Sequence, residues 1–317
     1  MNEKLVNSGY LDCSDGNRIY WETSGNPKGQ PALFLHGGPG AGLKTGHRKY
    51  FDKEKYFLVS LDQRGCGRSK PLISSPEVDL STFTTDAIIE DIEKLRNFLQ
   101  IKKWLVSGVS WGSNLALAYA LKYPKVVSQM VLAAVTTGTK KEIEWITEDL
   151  SYIFPKEWAS FSSFAKKKKE QRLIDAYYDK ITSSNLGMRA EAAEKWCQWE
   201  DTHISLGPDF SPYPGFKDQS FREIFATYVI HFWKHNVFLE DSFVSDLKNI
   251  SDIPTTLIHG KHDISCPLKF VYDVHNQMNN SKLVIIDSEG HGGRIIFEEF
   301  FKATSSYFGT TSLKADE

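Results

Sequence analysis

The sequence predicts an α/β protein in which a mostly parallel central sheet is flanked by helices and interrupted by an inserted helical cap. Two observations lead to this fold class. Short apolar runs alternate with helical patterns through roughly the first 135 residues, and strand-like runs then return only near residue 255. We therefore expect a core formed by residues 1–137 and 246–317 and a cap formed by residues 138–245.

The strands are predicted by short runs rich in β-branched and aromatic residues. Residues 10–22 form two such runs about an Asp15-Gly16 or Gly16-Asn17 turn, which is typical of an antiparallel hairpin at the edge of a sheet. The other strands are predicted at residues 32–35, 56–61, 104–107, 126–133, 255–259 and 282–287.

An amphipathic helix is indicated between the strands predicted at 56–61 and 104–107, with Thr84, Thr85 or Asp86 as its N-cap. Such a helix can carry the chain from one parallel strand to the next. After residue 138 the sequence is rich in Trp, Phe, Lys and Glu, and it predicts the helices of the cap with Pro- and Gly-marked turns such as 211–215. The apolar positions of the first helix are Ile88, Ile89, Ile92, Leu95, Phe98 and Leu99.

Composition disfavours several classes of partner. The chain has 38 basic and 40 acidic residues, so no strong field favours a nucleic acid or an anionic membrane. No apolar run approaches the ~18 residues of a membrane span, and the first residues lack the pattern of a signal peptide. The four cysteines are far apart without C-x-x-C spacing, which predicts reduced thiols. We expect a cytoplasmic protein that acts on a small molecule.

The strongest local signal is a G-x-S-x-G motif, Gly108-Val109-Ser110-Trp111-Gly112, between a predicted strand and the helical run 114–122. The glycines matter because the turn is so tight that side chains beside the serine would clash. The turn lifts the hydroxyl out at the carboxyl edge of the sheet. Ser110 is therefore the candidate nucleophile, although the motif alone also fits a turn without chemistry.

A candidate acid and a candidate base each follow a later strand. Asp263 comes just after the strand at 255–259, and His291 comes just after the strand at 282–287. The chain order Ser, Asp, His is the order of the α/β-hydrolase fold. A serine hydroxyl needs a base to take its proton, and the imidazole needs a carboxylate to fix its tautomer. His259 and His262 are rival bases, disfavoured because His259 lies inside a strand and His262 directly precedes the acid.

A glycine-rich segment, His36-Gly37-Gly38-Pro39-Gly40, follows the first core strand. Its backbone N–H groups around Gly37 and Gly38, together with the N–H of Trp111, are the candidate oxyanion hole. His36 itself is expected to be structural. No metal and no organic cofactor are expected, because the His and Cys residues lack ligand spacing and the sequence has no phosphate-binding loop.

The combination of motifs resembles the proline iminopeptidases (prolyl aminopeptidases) along most of the chain. The matching segments are His36-Gly-Gly-Pro-Gly40, Asp62-Gln-Arg-Gly-Cys-Gly-Arg-Ser69, Ser110-Trp-Gly-Ser113 with Leu115-Ala-Leu-Ala-Tyr-Ala120, Glu142-Ile-Glu-Trp145, Phe154-Pro155 with Trp158, and Trp196-Cys-Gln-Trp-Glu200. The resemblance implies a serine peptidase that releases an N-terminal residue, typically proline, from short peptides through an acyl-enzyme. A helical cap would enclose the substrate.

The resemblance also implies roles for residues of the cap. Glu200 matches the glutamate that holds the positively charged amino terminus of the substrate, and Trp199 and Trp233 are expected beside it. On a helix Trp196, Trp199 and Glu200 fall on one face, and an aromatic wall next to a carboxylate suits an ammonium group. The alternative for Glu200 is an exposed position on an amphipathic packing face.

Two departures from the family pattern concern the same pocket. Val229 falls where the family has a second cap glutamate, and Thr136 and Thr147 fall where it has aromatic residues around the proline ring. The prediction is thus an aminopeptidase whose preference for proline is open. An esterase without a need for a free amine is the alternative enzyme, and an inactive scaffold of the same fold is disfavoured by the intact Ser, Asp and His.

Overall fold

The computed structural model describes residues 5–204, 206 and 211–309. The strands are β1 (Leu5–Asp12), β2 (Arg18–Gly25), β3 (Gln30–Leu35), β4 (Tyr56–Leu61), β5 (Trp104–Val109), β6 (Val127–Ala133), β7 (Thr255–Gly260) and β8 (Ser281–Ile286). In these residues they form one sheet in the order β1-β2-β4-β3-β5-β6-β7-β8. The β1–β2 and β2–β4 pairs are antiparallel, and the pairs from β4–β3 to β7–β8 are parallel. The predicted fold class is confirmed.

The helices are α1 (Thr85–Phe98), α2 (Trp111–Lys122), α3 (Lys140–Thr147), α4 (Pro155–Ala165), α5 (Leu173–Ile181), α6 (Leu186–Ile204), α7 (Gln219–Lys234), α8 (Phe243–Asp246), α9 (Leu268–Gln277) and α10 (Arg294–Tyr307). Helix α1 is the expected crossover helix, and the Thr84 hydroxyl caps it by accepting from the Ala87 N–H. The apolar stripe is shorter than expected, since Phe98 is 57% exposed at the end of the helix.

Both faces of the sheet are covered, because alternate residues of a strand point to opposite sides. In β3, Leu33 and Leu35 pack into a cluster with residues of α1, α2 and α9. Ala32 and Phe34 pack on the other side, in a cluster that includes Ile296 and Phe300 of α10. The central strands are therefore apolar on both faces, as buried parallel strands are.

Helices α3 to α8 lie between β6 and β7 in the chain. Several of them share an aromatic cluster, in which the Phe161 ring stacks on Tyr177 at 4.5 Å and on Trp199 at 5.1 Å between ring centroids. This aromatic cluster of the helices is separate from the two clusters that cover the sheet. The division into a core of residues 1–137 and 246–317 and a cap of residues 138–245 stays a prediction.

Strands β3, β5, β7 and β8 all run in parallel. Their carboxyl ends therefore meet at one edge of the sheet, where ligands bind in open α/β sheets. The segments that leave these four ends begin with His36, Ser110, Lys261 and Asp287. This edge is where the predicted chemical groups should meet.

Candidate active site

Ser110 lies in the sharp turn between β5 and α2, with φ 56° and ψ −126°. A non-glycine residue with positive φ is strained, and such strain often marks a functional position. The turn packs so closely that a Cβ added to Gly108 would lie 2.1 Å from the Gly112 carbonyl oxygen, and one added to Gly112 would lie 2.1 Å from the Leu35 oxygen. The two glycines of the motif are therefore required by the backbone.

His291 lies within hydrogen-bond distance of both other residues of the predicted triad. His291 Nε2 is 2.9 Å from Ser110 Oγ, and His291 Nδ1 is 2.9 Å from Asp263 Oδ2. The other carboxylate oxygen of Asp263 accepts from the Cys266 N–H at 2.9 Å, which fixes its orientation. This is the geometry in which a base activates a serine and an acid orients the base.

The charges of the acid and the base are coupled. Burial alone would raise the pKa of Asp263, but the charge and hydrogen bond of His291 hold it below its ordinary value. Burial alone would lower the pKa of His291, but the charge and hydrogen bond of Asp263 raise it, with smaller contributions from Glu200 and Glu142. A base of raised pKa accepts the serine proton more readily.

The two rival bases, His259 and His262, form hydrogen bonds with groups other than Ser110. His259 is buried in β7, where its Nδ1 accepts from the Val135 N–H at 3.0 Å and its Nε2 lies 2.7 Å from the Cys266 oxygen. The side chain of His262 is exposed, and its backbone N–H donates to the backbone oxygen of Glu289. His259 therefore serves the backbone around the acid.

The predicted oxyanion-hole residues lie on both sides of Ser110. A Cβ on Gly37 would be 3.1 Å from Ser110 Cβ, so only the bare backbone of that segment can approach the serine so closely. Trp111 is the first residue of α2. Backbone N–H groups in the first turn of a helix have no intrahelical acceptor, so they can donate to a developing oxyanion.

A glutamine that the sequence analysis left without a role joins these two sides. The Gln63 side chain accepts from Trp111 Nε1 at 2.8 Å and donates to the His36 backbone oxygen at 2.9 Å. The backbone N–H of Gln63 donates to His36 Nε2 at 3.1 Å. Burial lowers the pKa of His36, which keeps the ring neutral and able to accept. The available signal was the position of Gln63, a polar residue just beyond the end of β4.

A cavity opens above the serine, and residues of the sheet edge and of the helical segment line it together. Ser110 and His291 belong to its lining, and so do Glu200 and Trp233. Tyr213, Phe216 and Phe225 add an aromatic surface that the sequence analysis did not single out. Helical spacing relates two of the aromatic positions, because Phe225 and Trp233 lie two turns apart on α7.

Glu200 is buried, and it lines the cavity from α6. Trp196 Nε1 donates to Glu200 Oε1 at 3.0 Å. Burial raises the pKa of Glu200 to about 7, although the Trp196 hydrogen bond and the charge of His291 act against it. The exposed position that was the alternative for Glu200 is excluded.

Trp199 does not line this cavity, contrary to the role expected for it. Its ring is buried against Phe161, and its Nε1 donates to the Ile146 oxygen at 3.1 Å. Adjacent residues of a helix point about 100° apart, so Trp199 and Glu200 face different neighbours. Trp199 therefore packs inside the aromatic cluster, whereas Trp196 supports Glu200.

The three positions that depart from the family pattern lie in different surroundings. Val229 is fully buried in the aromatic cluster of the helices and offers no charge. Thr147 is buried and donates to the Ile143 oxygen at 2.8 Å. Thr136 does line the cavity, and its hydroxyl donates to Glu142 Oε1 at 2.8 Å.

A second carboxylate, that of Glu142, also lines the cavity but is fully engaged with its own neighbours. Its Oε2 accepts from the Thr137 N–H, the Thr137 hydroxyl and the Gly138 N–H at 2.7 to 2.8 Å. With Thr136 on the other oxygen, Glu142 holds the segment that follows β6. We assign it a structural part in shaping the wall of the cavity.

One group of potential metal ligands was found among the described residues. Single donor atoms of Asp263, Cys266 and His291 lie within 4.8 Å of one another. Both nitrogens of His291 already face the acid and the serine, and burial raises the pKa of the Cys266 thiol, so the metal-binding thiolate is disfavoured. The cluster therefore fits a metal ion poorly, and the absence of a metal and of a cofactor stays a prediction.

The chain matches the family model described as alpha/beta hydrolase fold over residues 31–295. A probable proline iminopeptidase from Streptomyces coelicolor is 40% identical over 306 residues, which cover 94% of each chain. A proline iminopeptidase from Arabidopsis thaliana is 38% identical over 90% of this chain and 74% of its own length. A solved hydrolase from Pseudomonas aeruginosa PA01 is 16% identical with a TM-score of 0.65, over 96% of this chain and 99% of that chain, and it shows the fold alone.

The fold, with a serine in the turn between strand and helix, defines a hydrolase of the α/β-hydrolase class. The chain belongs to the proline iminopeptidase family. The resemblance expected from the motifs is thereby confirmed. Within the described ranges, no helix combines the length and the apolar character that crossing a membrane requires.

Proposed function

We propose that this enzyme releases the N-terminal residue from short peptides or aminoacyl amides by way of an acyl-enzyme on Ser110. The observation that carries the proposal is the buried carboxylate of Glu200 in the same cavity as Ser110 and His291. A substrate's α-amino group has a pKa of about 7.7 to 8.0, so much of it is cationic at neutral pH. A sheltered carboxylate selects such a group.

The mechanism follows from the contacts of the triad. His291 takes the proton of Ser110 through Nε2 while Oγ attacks the scissile carbonyl carbon, and Asp263 stabilises the imidazolium that forms. The oxyanion lies toward the N–H groups of Trp111 and the Gly37-Gly38 segment. His291 then gives its proton to the leaving amine as the C–N bond breaks, which leaves the N-terminal residue as an ester on Ser110 Oγ. A water molecule, deprotonated by the same base, attacks this ester, and the proton returns to Oγ as the N-terminal residue is released.

The lining of the cavity also bears on which bond of a peptide substrate the enzyme cleaves. Phe216 and Phe225 line the same cavity as Glu200 and Ser110, so their rings can contact the side chain of the residue whose amine Glu200 holds. Proline-type and other small apolar residues suit such walls. The four cysteines are free, which supports the expected cytoplasmic location.

A panel of aminoacyl 4-nitroanilides set against simple acetate esters tests the proposal. We expect prolyl and other aminoacyl anilides to be cleaved with a kcat/KM that N-acetylation of the amine reduces at least a hundredfold. Ser110→Ala is the control, because it removes turnover of every substrate in the panel. Equal cleavage of free and N-acetylated anilides would contradict the aminopeptidase and favour the esterase.

A further inference from the structure

His203, one helical turn after Glu200, lines the same cavity, and one of its ring nitrogens has no hydrogen-bond partner among the described residues. His203 is 2% exposed, and its Nδ1 lies 2.8 Å from the hydroxyl oxygen of Ser265. Its Nε2 has no hydrogen-bond partner among the described residues and lies 3.6 Å from Glu200 Oε2. An unpartnered polar atom in such a place is costly unless a ligand satisfies it.

The charge of this ring is defined by its surroundings. Burial lowers the pKa of His203 to about 3, and the nearby charge of His291 acts in the same direction. A neutral imidazole has one N–H and one acceptor nitrogen. When the proton is on Nδ1 and is donated to Ser265, Nε2 is an acceptor beside Glu200.

Two acceptors in this arrangement match the amine of the proposed substrate. A protonated N-terminal proline carries two N–H groups on one nitrogen, and acceptors 3.6 Å apart are within the span of two hydrogen bonds of about 2.9 Å from a single atom. The pair has a single negative charge, that of Glu200, which balances one ammonium. No second carboxylate is needed, and Val229 supplies none.

We propose that His203 is the second amine-binding residue of this pocket, with Nε2 accepting one N–H of the substrate's terminal ammonium while Glu200 accepts the other. The inference rests on the proposed aminopeptidase function and names the group that completes amine recognition. Ser265 then acts as a positioning residue, because the hydrogen bond between its hydroxyl and Nδ1 orients the ring with Nε2 toward Glu200.

The test compares two substrates that differ in one atom. They are prolyl 4-nitroanilide and its tetrahydrofuran-2-carbonyl analogue, in which an ether oxygen replaces the ring N–H. For His203→Phe we expect the ratio of kcat/KM between the two substrates to fall about tenfold, mainly through a higher KM for the prolyl compound. His203→Gln, whose amide oxygen can reach the place of Nε2, should keep the ratio within about threefold.

A matched control is His275→Phe, since His275 Nδ1 also bonds a serine hydroxyl, that of Ser281 at 2.7 Å, but outside this cavity. It should leave the ratio unchanged. Titration of active serine with a fluorophosphonate counts correctly folded sites in each variant. A His203→Phe enzyme that loses both substrates equally, or neither, would overturn the assignment.

Wild type, Glu200→Gln and His203→Phe together distinguish the role of His203 from the proposed function. If the wild-type enzyme cleaves both anilides equally well, the amine is not recognised and both ideas fall. If wild type prefers the prolyl compound and Glu200→Gln removes the preference, whereas His203→Phe retains it, only the role of His203 is wrong.

Discussion

The indole N–H of Trp111 donates a 2.8 Å hydrogen bond to the side-chain oxygen of Gln63. The same amide donates to the backbone oxygen of His36, directly before the Gly37-Gly38 segment. One side chain therefore fixes the distance between the two walls of the candidate oxyanion hole. Preorganised donors of this kind act mainly on the transition state.

Replacement of Gln63 by Leu is expected to lower kcat about tenfold or more, with KM changed less than threefold. The two walls are then no longer held together, so the displaced N–H donors stabilise the oxyanion less well. Binding of the substrate in its ground state changes little. Rates per titrated active serine, measured with both an anilide and an ester, check this. A rise in KM alone, or an unchanged kcat, would assign Gln63 to packing only.

Ser110→Ala and His291→Ala are each expected to remove nearly all turnover, and the double variant should lose little more. Residues that act as a unit are strongly non-additive, because either loss abolishes the same step. Asp263→Asn should be somewhat milder, since the base survives in a poorly fixed tautomer. Initial rates on one aminoacyl anilide are sufficient. Near wild-type turnover by Ser110→Ala would exclude the mechanism.

The acid side of the pH profile should differ between substrates. An aminoacyl substrate needs Glu200 ionised and His291 neutral, and the pKa of each is raised above its ordinary value, that of Glu200 to about 7. Both groups lose their protons as pH rises, so log kcat/KM should increase with a slope approaching two at pH values below both pKa values. An acetate ester should give a slope of one, and so should Glu200→Gln with the anilide. A slope of one for every combination would contradict this account.

Glu200 should also make stability depend on pH. Its pKa is about 7 in the fold against an ordinary 4.5, so the folded state binds the proton more tightly than the unfolded state. This contribution to stability is fully present below pH 4.5 and is lost as pH rises through 7, and the loss amounts to about 3 kcal/mol above that pH. Glu200→Gln should therefore raise the melting temperature at pH 8 but hardly at pH 5. Glu194→Gln, on the exposed side of the same helix, is the control, and an equal shift in both variants would contradict the assignment.

The triad could be predicted from sequence because its members follow strands, and parallel strands bring their carboxyl ends together. The chain order and the G-x-S-x-G motif then left few combinations for Ser110, Asp263 and His291. The strand positions were equally accessible, since buried parallel strands are short continuous apolar runs. These features depend on local pattern and on one topological rule.

The pocket was harder to predict because its walls come from residues whose contacts are not local. Helical spacing predicts one face for Trp196, Trp199 and Glu200, but neighbours on a helix diverge by about 100° and only Trp196 meets Glu200. Trp196 and His203 lie four residues before and three residues after Glu200, which is the spacing of a shared helical face. That spacing was visible, but nothing local indicated that the other ring nitrogen of His203 would meet Ser265.

Under the proposed function, Glu200 selects substrates with a free amine for attack by Ser110. The most direct measurement is kcat/KM of wild type and Glu200→Gln on prolyl 4-nitroanilide and on 4-nitrophenyl acetate. Loss of a charged hydrogen bond of about 1.5 to 3 kcal/mol predicts a roughly ten- to hundredfold greater fall for the anilide than for the ester. Equal falls on both substrates, or no fall on either, would contradict the claim.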